Sequence, residues 1–504
     1  MNIVDNFLNK ITMYRLVLYY LFGLIVVATV FGFFNIIHYS PANLAFSTLL
    51  ILATCWGTNT LFAKVFKAAP NSESVYITGL ILALIMTPVA PENHTGIGFL
   101  IFASVWAMAS KYIFALGHKH IFNPAAFAIA LSAVAINQSA TWWIGGNLPL
   151  LPFVFFGGLL IVRKIRRFDL VVSFSVVALV TIIFTTSNTN FLTPITQTLL
   201  NSSFFFLAFV MLTEPLTMPP TRTLRIIYGA IVGLLFAPDM HIGSFYFTPE
   251  LALLIGNVFV YFVSPKGRFL LTLLEKNEIG TGTYEFVFAP NRAFTFRPGQ
   301  YMEWTLGHRF TDDRGNRRYF TVASSPTEDT VRLGVKFYEP ESTFKRALKA
   351  MKPHETLSVS NLAGDFVLPK DPSQKLVFIA GGIGVTPFRS MAQYLIDKKE
   401  NRAVTLLYSN KVASEIAYKD IFDTAAKEIG MRTVYALTDE KTSMPGVHIG
   451  LIDAALIMRE IPDYKERIFY ISGPHGMVTT FTKTLHGMGI PRSRIETDYF
   501  PGFA

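Results

Sequence analysis

The sequence predicts a polytopic α-helical membrane domain fused to an antiparallel β-barrel domain and then to an α/β nucleotide-binding domain. Three observations predict it. Only 19 of the Asp, Glu, Lys and Arg residues fall in positions 1–265, whereas 59 fall in positions 266–504. From 266 the apolar runs give way to short alternating strands such as "GTYEFVFAP" and "GQYMEWTL", divided by Gly, Pro and Asn turns. After about 373, "KLVFIA", "AVTLLYSN", "RTVYAL" and "RIFYISG" are apolar strands separated by helix-like stretches, the mark of a parallel sheet. The expected domains are 1–265, 266–370 and 371–504.

The charge-poor half cannot be an ordinary soluble core. Helices in lipid must run low in charge, because an unpaired charge in hydrocarbon is costly. Apolar segments lie near 15–37, 43–65, 74–90, 97–117, 121–137, 147–163, 169–186, 199–215, 223–238 and 249–264. That gives about ten spans, some shorter than the roughly 20 residues a span prefers, so broken or tilted helices are expected. Alternate loops carry Lys10 and Arg15, Lys64 and Lys67, Lys111 and Lys119, Arg163 to Arg167, Arg222 and Arg225, then Lys266 and Arg268. The other loops, such as PVAPENHTG and TTSNTNFLTPITQ, hold no Lys or Arg. By the positive-inside rule the N-terminus and the C-terminal half are cytoplasmic, in a multi-pass protein of the cell (inner) membrane whose first partner is lipid. The net charge of +10 is thus explained without nucleic acid. No cleavable signal peptide is evident.

The single cysteine, Cys55, excludes a disulfide framework and a plant-type iron–sulfur domain, and no metal site is expected. "FNPAAFAIALSAV" opens the fifth apolar segment and "FTPELALLIGNVF" the tenth; "LALIMTP" closes the third and "AFVMLTEP" the eighth. Each pair is five segments apart, which predicts an inverted repeat with a ligand site between its halves. Asn123, Pro124, Glu214 and Pro215 are the candidates, since a prolyl break frees backbone groups that protein, water or a ligand must satisfy.

These motifs carry a resemblance. "HKHIFNPAAF", "LTEPLTMPPT" and the layout resemble the flavin-carrying membrane subunits of the Na⁺-translocating NADH:quinone reductases and of the Rnf complexes, the RnfD type. The resemblance implies a fold similar to urea channels and electron transfer through a membrane-domain flavin, FMN or riboflavin. Such subunits often attach FMN to the Thr of an S-G-A-T-like sequence. Here Gln138-Ser139-Ala140-Thr141 lacks the glycine and the preceding acid, so noncovalent binding is expected rather than a link at Thr141.

In the second half, "RPGQYMEW" precedes Arg318-Tyr319-Phe320-Thr321-Val322-Ala323-Ser324-Ser325-Pro326. On a strand Arg318 and Phe320 share a face. An Arg suits a phosphate, an aromatic ring suits an isoalloxazine, and the Thr321 hydroxyl suits flavin N5. Strand "LVFIA" leads into Gly381-Gly382-Ile383-Gly384-Val385-Thr386-Pro387 and a helix. Glycines let backbone approach a diphosphate, Thr386 suits an N-cap, and Pro387 suits the first helical position. This is not the G-x-G-x-x-G spacing. Ser472-Gly473-Pro474 follows a later strand, where small residues leave room for a nicotinamide.

In this order these motifs resemble the ferredoxin–NADP⁺ reductase superfamily. The resemblance implies FAD held by Arg318, Tyr319, Phe320 and Thr321, with Ser342, Thr343, Phe344 and Lys345 near its diphosphate. It implies NADH or NADPH on Gly381, Gly382, Gly384 and Thr386, with Gly473 and Pro474 beside the nicotinamide, and Tyr499 or Phe500 near the flavin. Thr321 and Ser472 are the expected catalytic positions. Phe320 stands where Tyr is common, and Ser472 where many members have Cys.

The expectation is a membrane NAD(P)H dehydrogenase feeding a quinone or an extracytoplasmic flavoprotein, in an oligomeric state the sequence leaves open. A transmembrane haem or ferric reductase needs paired helical His, but His38, His94, His118, His120 and His241 fall at segment ends or in loops. A redox-regulated channel or transporter is the other alternative.

Overall fold

The computed structural model describes residues 4, 7–8, 11–66, 72–116, 119–185, 192–238, 240–264, 268–309, 311–312, 315–440 and 446–498. Lys10, Lys67, Lys266, Tyr499 and Phe500 lie outside the described residues. The chain divides into two compact units, Ile11–Gly267 in one and Met1–Lys10 with Arg268–Ala504 in the other.

The first unit is helical: α1 Met13–Phe33, α2 Pro41–Val65, α3 Ser72–Ile85, α4 His94–Ile113, α5 Pro124–Ile136, α6 Leu151–Ile165, α7 Phe168–Thr185, α8 Leu192–Asn201, α9 Phe204–Phe206, α10 Arg222–Phe236 and α11 Pro249–Val263. The helix α9 runs directly into a π-helical turn, Leu207–Met211. The starts are written locally. Thr12, Ser40, Asn93, Asn123 and Thr248 each accept a bond from the backbone N–H three residues on, and Pro41, Pro124 and Pro249 stand just inside.

Among the described residues, five helices are long and apolar enough to cross a membrane: Met13–Phe33, Pro41–Val65, His94–Ile113, Leu148–Ile165 and Phe168–Thr185. The pair Leu192–Asn201 and Phe204–Met211, bent by 62°, makes a sixth if counted as one span. Glu73–Ile85, Pro124–Ile136 and Pro249–Val263 are apolar but shorter. Length therefore qualifies five or six helices where the apolar runs predict about ten. Proline bounds three of the shorter helices: α3 stops ahead of Pro88, and α5 and α11 begin at Pro124 and Pro249.

Packing in this unit uses close backbone approach. A Cβ on Gly229 would lie 2.7 Å from Leu170 O, and one on Gly233 would lie 2.5 Å from Phe174 O. These glycines, one turn apart on α10, let it seat directly on α7, the small-residue packing typical of helices in lipid. A buried ion pair, Arg225 to Asp169 at 2.8 Å, ties the same two helices.

The second unit holds two sheets. Strands β1 Phe269–Gly280, β2 Thr283–Pro290, β3 Tyr301–Thr305, β4 Arg317–Thr321, β5 Val331–Lys336 and β6 Thr356–Ala363 form a curled antiparallel sheet in the order β4-β3-β6-β1-β2-β5. Among the described residues no ladder joins its edges β4 and β5. Beyond β4, however, Ala323 N donates to Arg332 O at 2.9 Å and Ser324 Oγ accepts from Arg332 N at 3.1 Å. Helix α12, Thr343–Ala350, puts Phe344 and Leu348 into the core with Phe286, Phe288 and Trp304.

Strands β7 Leu376–Gly381, β8 Val404–Asn410, β9 Arg432–Leu437, β10 Val447–Ile449, β11 Ile468–Ser472 and β12 Ile495–Asp498 form a parallel sheet in the order β10-β9-β8-β7-β11-β12. Leu376, Phe378 and Ala380 enter one core, with Phe388 of α13 (Thr386–Lys398) and Phe422 of α14 (Lys419–Ile429). Val377 and Ile379 enter the other, with Leu456 of α15 (Ala454–Glu460) and Phe481 of α16 (His475–Gly487). Burial on both faces accounts for the continuous apolar strands. Strand order reverses between β7 and β11, which is where doubly wound sheets bind ligands.

Candidate functional site

The Gly381–Thr386 turn leaves β7 at that reversal. A Cβ on Gly384 would lie 2.5 Å from Ser472 O and 2.6 Å from Gly473 Cα, so the turns after β7 and β11 cross in direct backbone contact. A Cβ on Gly381 would meet Met477 Sδ at 2.1 Å. Gly382 differs: its φ is +52° and nothing lies within 4 Å of its Cβ position. That open backbone, followed by a helix N-terminus, is a cradle a diphosphate fits. Thr386 is not the N-cap the sequence suggests. Val385 caps α13 without a side-chain bond, while Thr386 is the first helical residue and its Oγ1 donates to Ile383 O at 3.2 Å. A short 3₁₀ turn, Gly382–Val385, leads into the helix, which starts one residue earlier than expected. Pro474 caps α16, and Ser472, buried, pairs in register with Ala380 on one side and Asp498 on the other.

On β4, Arg318 and Phe320 do share a face, and both meet Phe344. The Arg318 guanidinium lies 5.1 Å and the Phe320 ring 6.1 Å from that ring's centre. Arg318 Nη1 donates to Gly315 O at 3.1 Å and Arg317 O at 2.7 Å. Phe320 O accepts from Trp304 Nε1 at 3.2 Å. Thr321 is buried, whereas Tyr319 is exposed, with its phenol donating to Glu303 Oε2 at 2.7 Å.

The expected diphosphate-binding pair has other partners here. Ser342 Oγ accepts from Lys345 N at 3.2 Å as the N-cap of α12. Thr343 N donates to Asp312 Oδ2 at 3.0 Å, and Thr343 Oγ1 accepts from Asp312 N at 3.0 Å and bonds His308 Nε2 at 3.1 Å. The Asp312 carboxylate holds the place at this helix N-terminus that suits a phosphate. Asp312 carries no motif, and nothing in the sequence points to it.

Within the membrane unit, the structure brings Asn123 and Glu214 together. Asn123 Nδ2 donates to Glu214 Oε2 at 2.9 Å, Thr217 Oγ1 donates to the same oxygen at 3.1 Å, and His120 Nε2 lies 3.0 Å from Glu214 Oε1. Asn123 N donates to Asn257 Oδ1 at 2.8 Å, and Asn257 Nδ2 to Tyr228 OH at 3.3 Å. Asn257 and Tyr228 carry no sequence signal as site residues. His120 stands three residues before Asn123, but its place at a segment end reads as interfacial. A second cluster surrounds the break of α3. Trp142 N donates to Ile85 O at 2.9 Å, Ile144 N to Leu84 O at 3.3 Å and Trp143 Nε1 to Ala83 O at 3.0 Å, covering the carbonyls a helix end leaves open. Trp142 Nε1 donates to Glu250 Oε2 at 3.3 Å, and Thr141 Oγ1 lies 3.0 Å from Thr87 Oγ1.

A cavity of about 280 Å³ opens where Arg389, Arg332, Glu285 and Tyr418 meet, and none of the residues singled out in the sequence lines it. Burial pushes the Tyr418 phenol well above its usual range, so it stays neutral there.

Residues 144–265 match the NQR2, RnfD, RnfE family, and residues 378–483 match the oxidoreductase NAD-binding domain. The chain joins these two modules. A flavohemoprotein of Oceanobacillus iheyensis is 27% identical over 214 residues, 41% of this chain and 52% of that protein. One of Bacillus cereus is 29% identical over 216 residues, 41% and 53%. An NADPH oxidoreductase of Mycobacterium tuberculosis is 28% identical over 203 residues, 39% and 50%. The chain thus spans about half the length of these relatives. Among solved structures, a cytochrome P450 reductase of Amycolatopsis is similar at 23% identity and a TM-score of 0.42, over 46% of this chain and 69% of that one. The C-terminal half thus carries a match to an oxidoreductase NAD-binding domain, and the N-terminal half, among the described residues, carries five or six helices long and apolar enough to cross a membrane.

Proposed function

We propose that the chain is a membrane NAD(P)H dehydrogenase that passes electrons from NAD(P)H, through FAD in the cytoplasmic half, to an FMN or riboflavin held noncovalently in the membrane half, and on to a quinone or an extracytoplasmic flavoprotein. The observation that carries the reading is the backbone crossing of Gly384 over Ser472 and Gly473, in one unit with the Arg318–Thr321 strand. A flavin held on that strand would supply the chemistry of taking a hydride from a nicotinamide and releasing electrons singly. The protein's part is to bind and align. Arg318 faces phosphate, Phe320 covers the ring, and Thr321 offers a hydroxyl. Gly381, Gly382, Gly384 and Thr386 receive the dinucleotide, while Gly473 and Pro474 leave space for its reactive end. Ser472 has no nucleophilic task, since hydride transfer needs none. Tyr319 faces Glu303 and serves through its backbone; Ser342 and Thr343 serve a diphosphate only where it displaces Asp312.

In the membrane half, a ten-segment inverted repeat is supported by reciprocal contacts. The break of the second copy, at Glu214, meets the prolyl helix start of the first, at Asn123. The break of the first copy, at Ala83–Ile85, is covered by the Trp142–Ile144 loop, whose Trp142 meets Glu250 at the prolyl helix start of the second. We place the membrane flavin near Asn123 and Glu214, and the cytoplasmic side by the loop charges.

Acid extraction of flavins from the purified chain, with in-gel fluorescence and NAD(P)H reduction in membranes, tests this. The expected result is FAD plus a second, acid-extractable flavin, both reduced by NAD(P)H. FAD alone would remove the relay, and a covalently fluorescent band would overturn noncovalent binding.

A further inference from the structure

We infer that Arg389 is a positioning residue for hydride transfer, fixing the Gly381–Thr386 turn against the chain that follows Thr321; this rests on the reductase reading above. Arg389 lies on the first turn of α13 and is 3% exposed. Its Nη1 donates to Ala323 O at 3.3 Å. Its two terminal nitrogens fork onto Glu328, with Nη2 to Oε1 at 3.0 Å. Beside it, the buried Ser390 donates its Oγ proton to Ser324 O at 2.6 Å. Ala323 and Ser324 are two and three residues beyond Thr321. The turn assigned to the dinucleotide and the strand end assigned to the flavin are therefore joined through a few rigid bonds.

Glu328 is itself held. Its Oε2 accepts from Ser325 N at 2.6 Å and its Oε1 from Arg332 Nε at 3.0 Å, and Arg332 Nη1 reaches Glu285 Oε2 at 2.6 Å. The tie thus runs from α13 through the 323–328 loop into β5 and β2. Contact at the same seam is tight, for a Cβ on Gly334 would lie 2.8 Å from Thr386 Cγ2. A buried ion pair adds little net stability over apolar packing of the same volume. What a forked Arg–carboxylate pair supplies is direction, because both partners are planar and doubly bonded. The cavity beside Arg389 gives the guanidinium room to swing once Glu328 no longer holds it.

The test uses the full chain with Arg389→Ala, Arg389→Lys and Glu328→Gln, the last two keeping charge or shape if the alanine variant fails to fold. Flavin reduction at saturating NADH or NADPH is followed with protiated and 4-deuterated cofactor. Hydrogen exchange is measured on flavin-free protein. The expected result is a reduction rate lower by about 10-fold or more, with cofactor affinity changed by less than about twofold and a larger isotope effect. Exchange should rise over 322–328 and 383–392 alone, and Arg389→Lys should recover part of the rate. A rate within about twofold of the parent chain would overturn the inference. So would a loss matched by raised exchange across both sheets, which marks a purely structural role. If neither cofactor reduces flavin in the unaltered chain, it is the reductase reading that fails, and the exchange result still reports on the tie.

Discussion

Replacing Gly384 with alanine places a methyl group in a seam that has no soft side. Its Cβ would lie 2.5 Å from Ser472 O, 2.6 Å from Gly473 Cα and 2.7 Å from Gly473 N, all backbone atoms. Carbon contacts are comfortable near 3.5 Å, so the two turns must part by roughly 1 Å. Overpacking of this kind costs about 1–3 kcal/mol. For a unit of this size that lowers the melting temperature by about 2–12 °C. The functional loss should be larger than the stability loss, since a misplacement of roughly 1 Å costs about 100-fold in a positioned reaction. The assay is stopped-flow flavin reduction by NAD(P)H, with FAD content and melting measured on the same preparation. FAD content should hold, because the flavin strand is untouched, while kcat/KM for NAD(P)H collapses. Gly476→Ala is the control: it sits in α16 with nothing within 4 Å, and should be neutral or stabilising by about 0.5–1 kcal/mol. Normal reduction and normal melting in Gly384→Ala would refute the account of this crossing.

Other outcomes follow from the same geometry. Arg318→Ala should weaken FAD by about 10- to 100-fold, the worth of one charge-assisted contact, read by fluorescence titration of the stripped protein. Glu214→Ala removes the acceptor of His120, Asn123 and Thr217 together and should destabilise the membrane unit by about 1–3 kcal/mol, with Glu214→Gln losing less, read by melting in detergent. The loop after β8 already spends its N–H donors on carboxylates: Ala413 N on Glu440 at 3.1 Å and Lys411 N on Glu415 at 3.4 Å. We therefore predict, as a hypothesis, that NADH is used better than NADPH by about 10-fold or more, and that Glu440→Ala narrows the ratio; equal use by the parent chain would contradict it. The hydrogen bond from Arg467 holds the Asp463 carboxyl below its usual value. A depressed carboxylate stabilises the fold above its unfolded pKa, and that contribution is lost as pH falls through the folded value. Asp463→Asn should thus lower melting at neutral pH and flatten the acid limb below pH about 4.

How far the sequence discloses this molecule depends on whether the signal is local. Thr12, Ser40, Asn93 and Asn123 announce their helices because capping needs only a side chain and the N–H three residues on. The continuous apolar run of β7 feeds two cores because a strand's period of two sends successive side chains to opposite faces. Glycine spacing discloses the Gly381–Gly384 turn but not its neighbour, since the contact with Ser472 is made across about 90 residues. Asp312 over Thr343, Arg389 on Glu328 and Asn257 beneath Asn123 are illegible for that reason: each is a lone residue whose partner is distant in the chain. Fewer helices than apolar runs reach spanning length because Pro124 and Pro249 stand at the first position of theirs and leave them short. The cap of α13 falls one residue from where Thr386 suggests, because a 3₁₀ turn leaves no composition signature.

The most direct measurement is rapid-mixing absorbance of the purified full chain with anaerobic NADH, with each flavin quantified beforehand. The account predicts two flavins that bleach in sequence, FAD first and the membrane flavin after it, the second phase slowed by Glu214→Ala and the first left unchanged. A single flavin equivalent bleaching in one phase would contradict it.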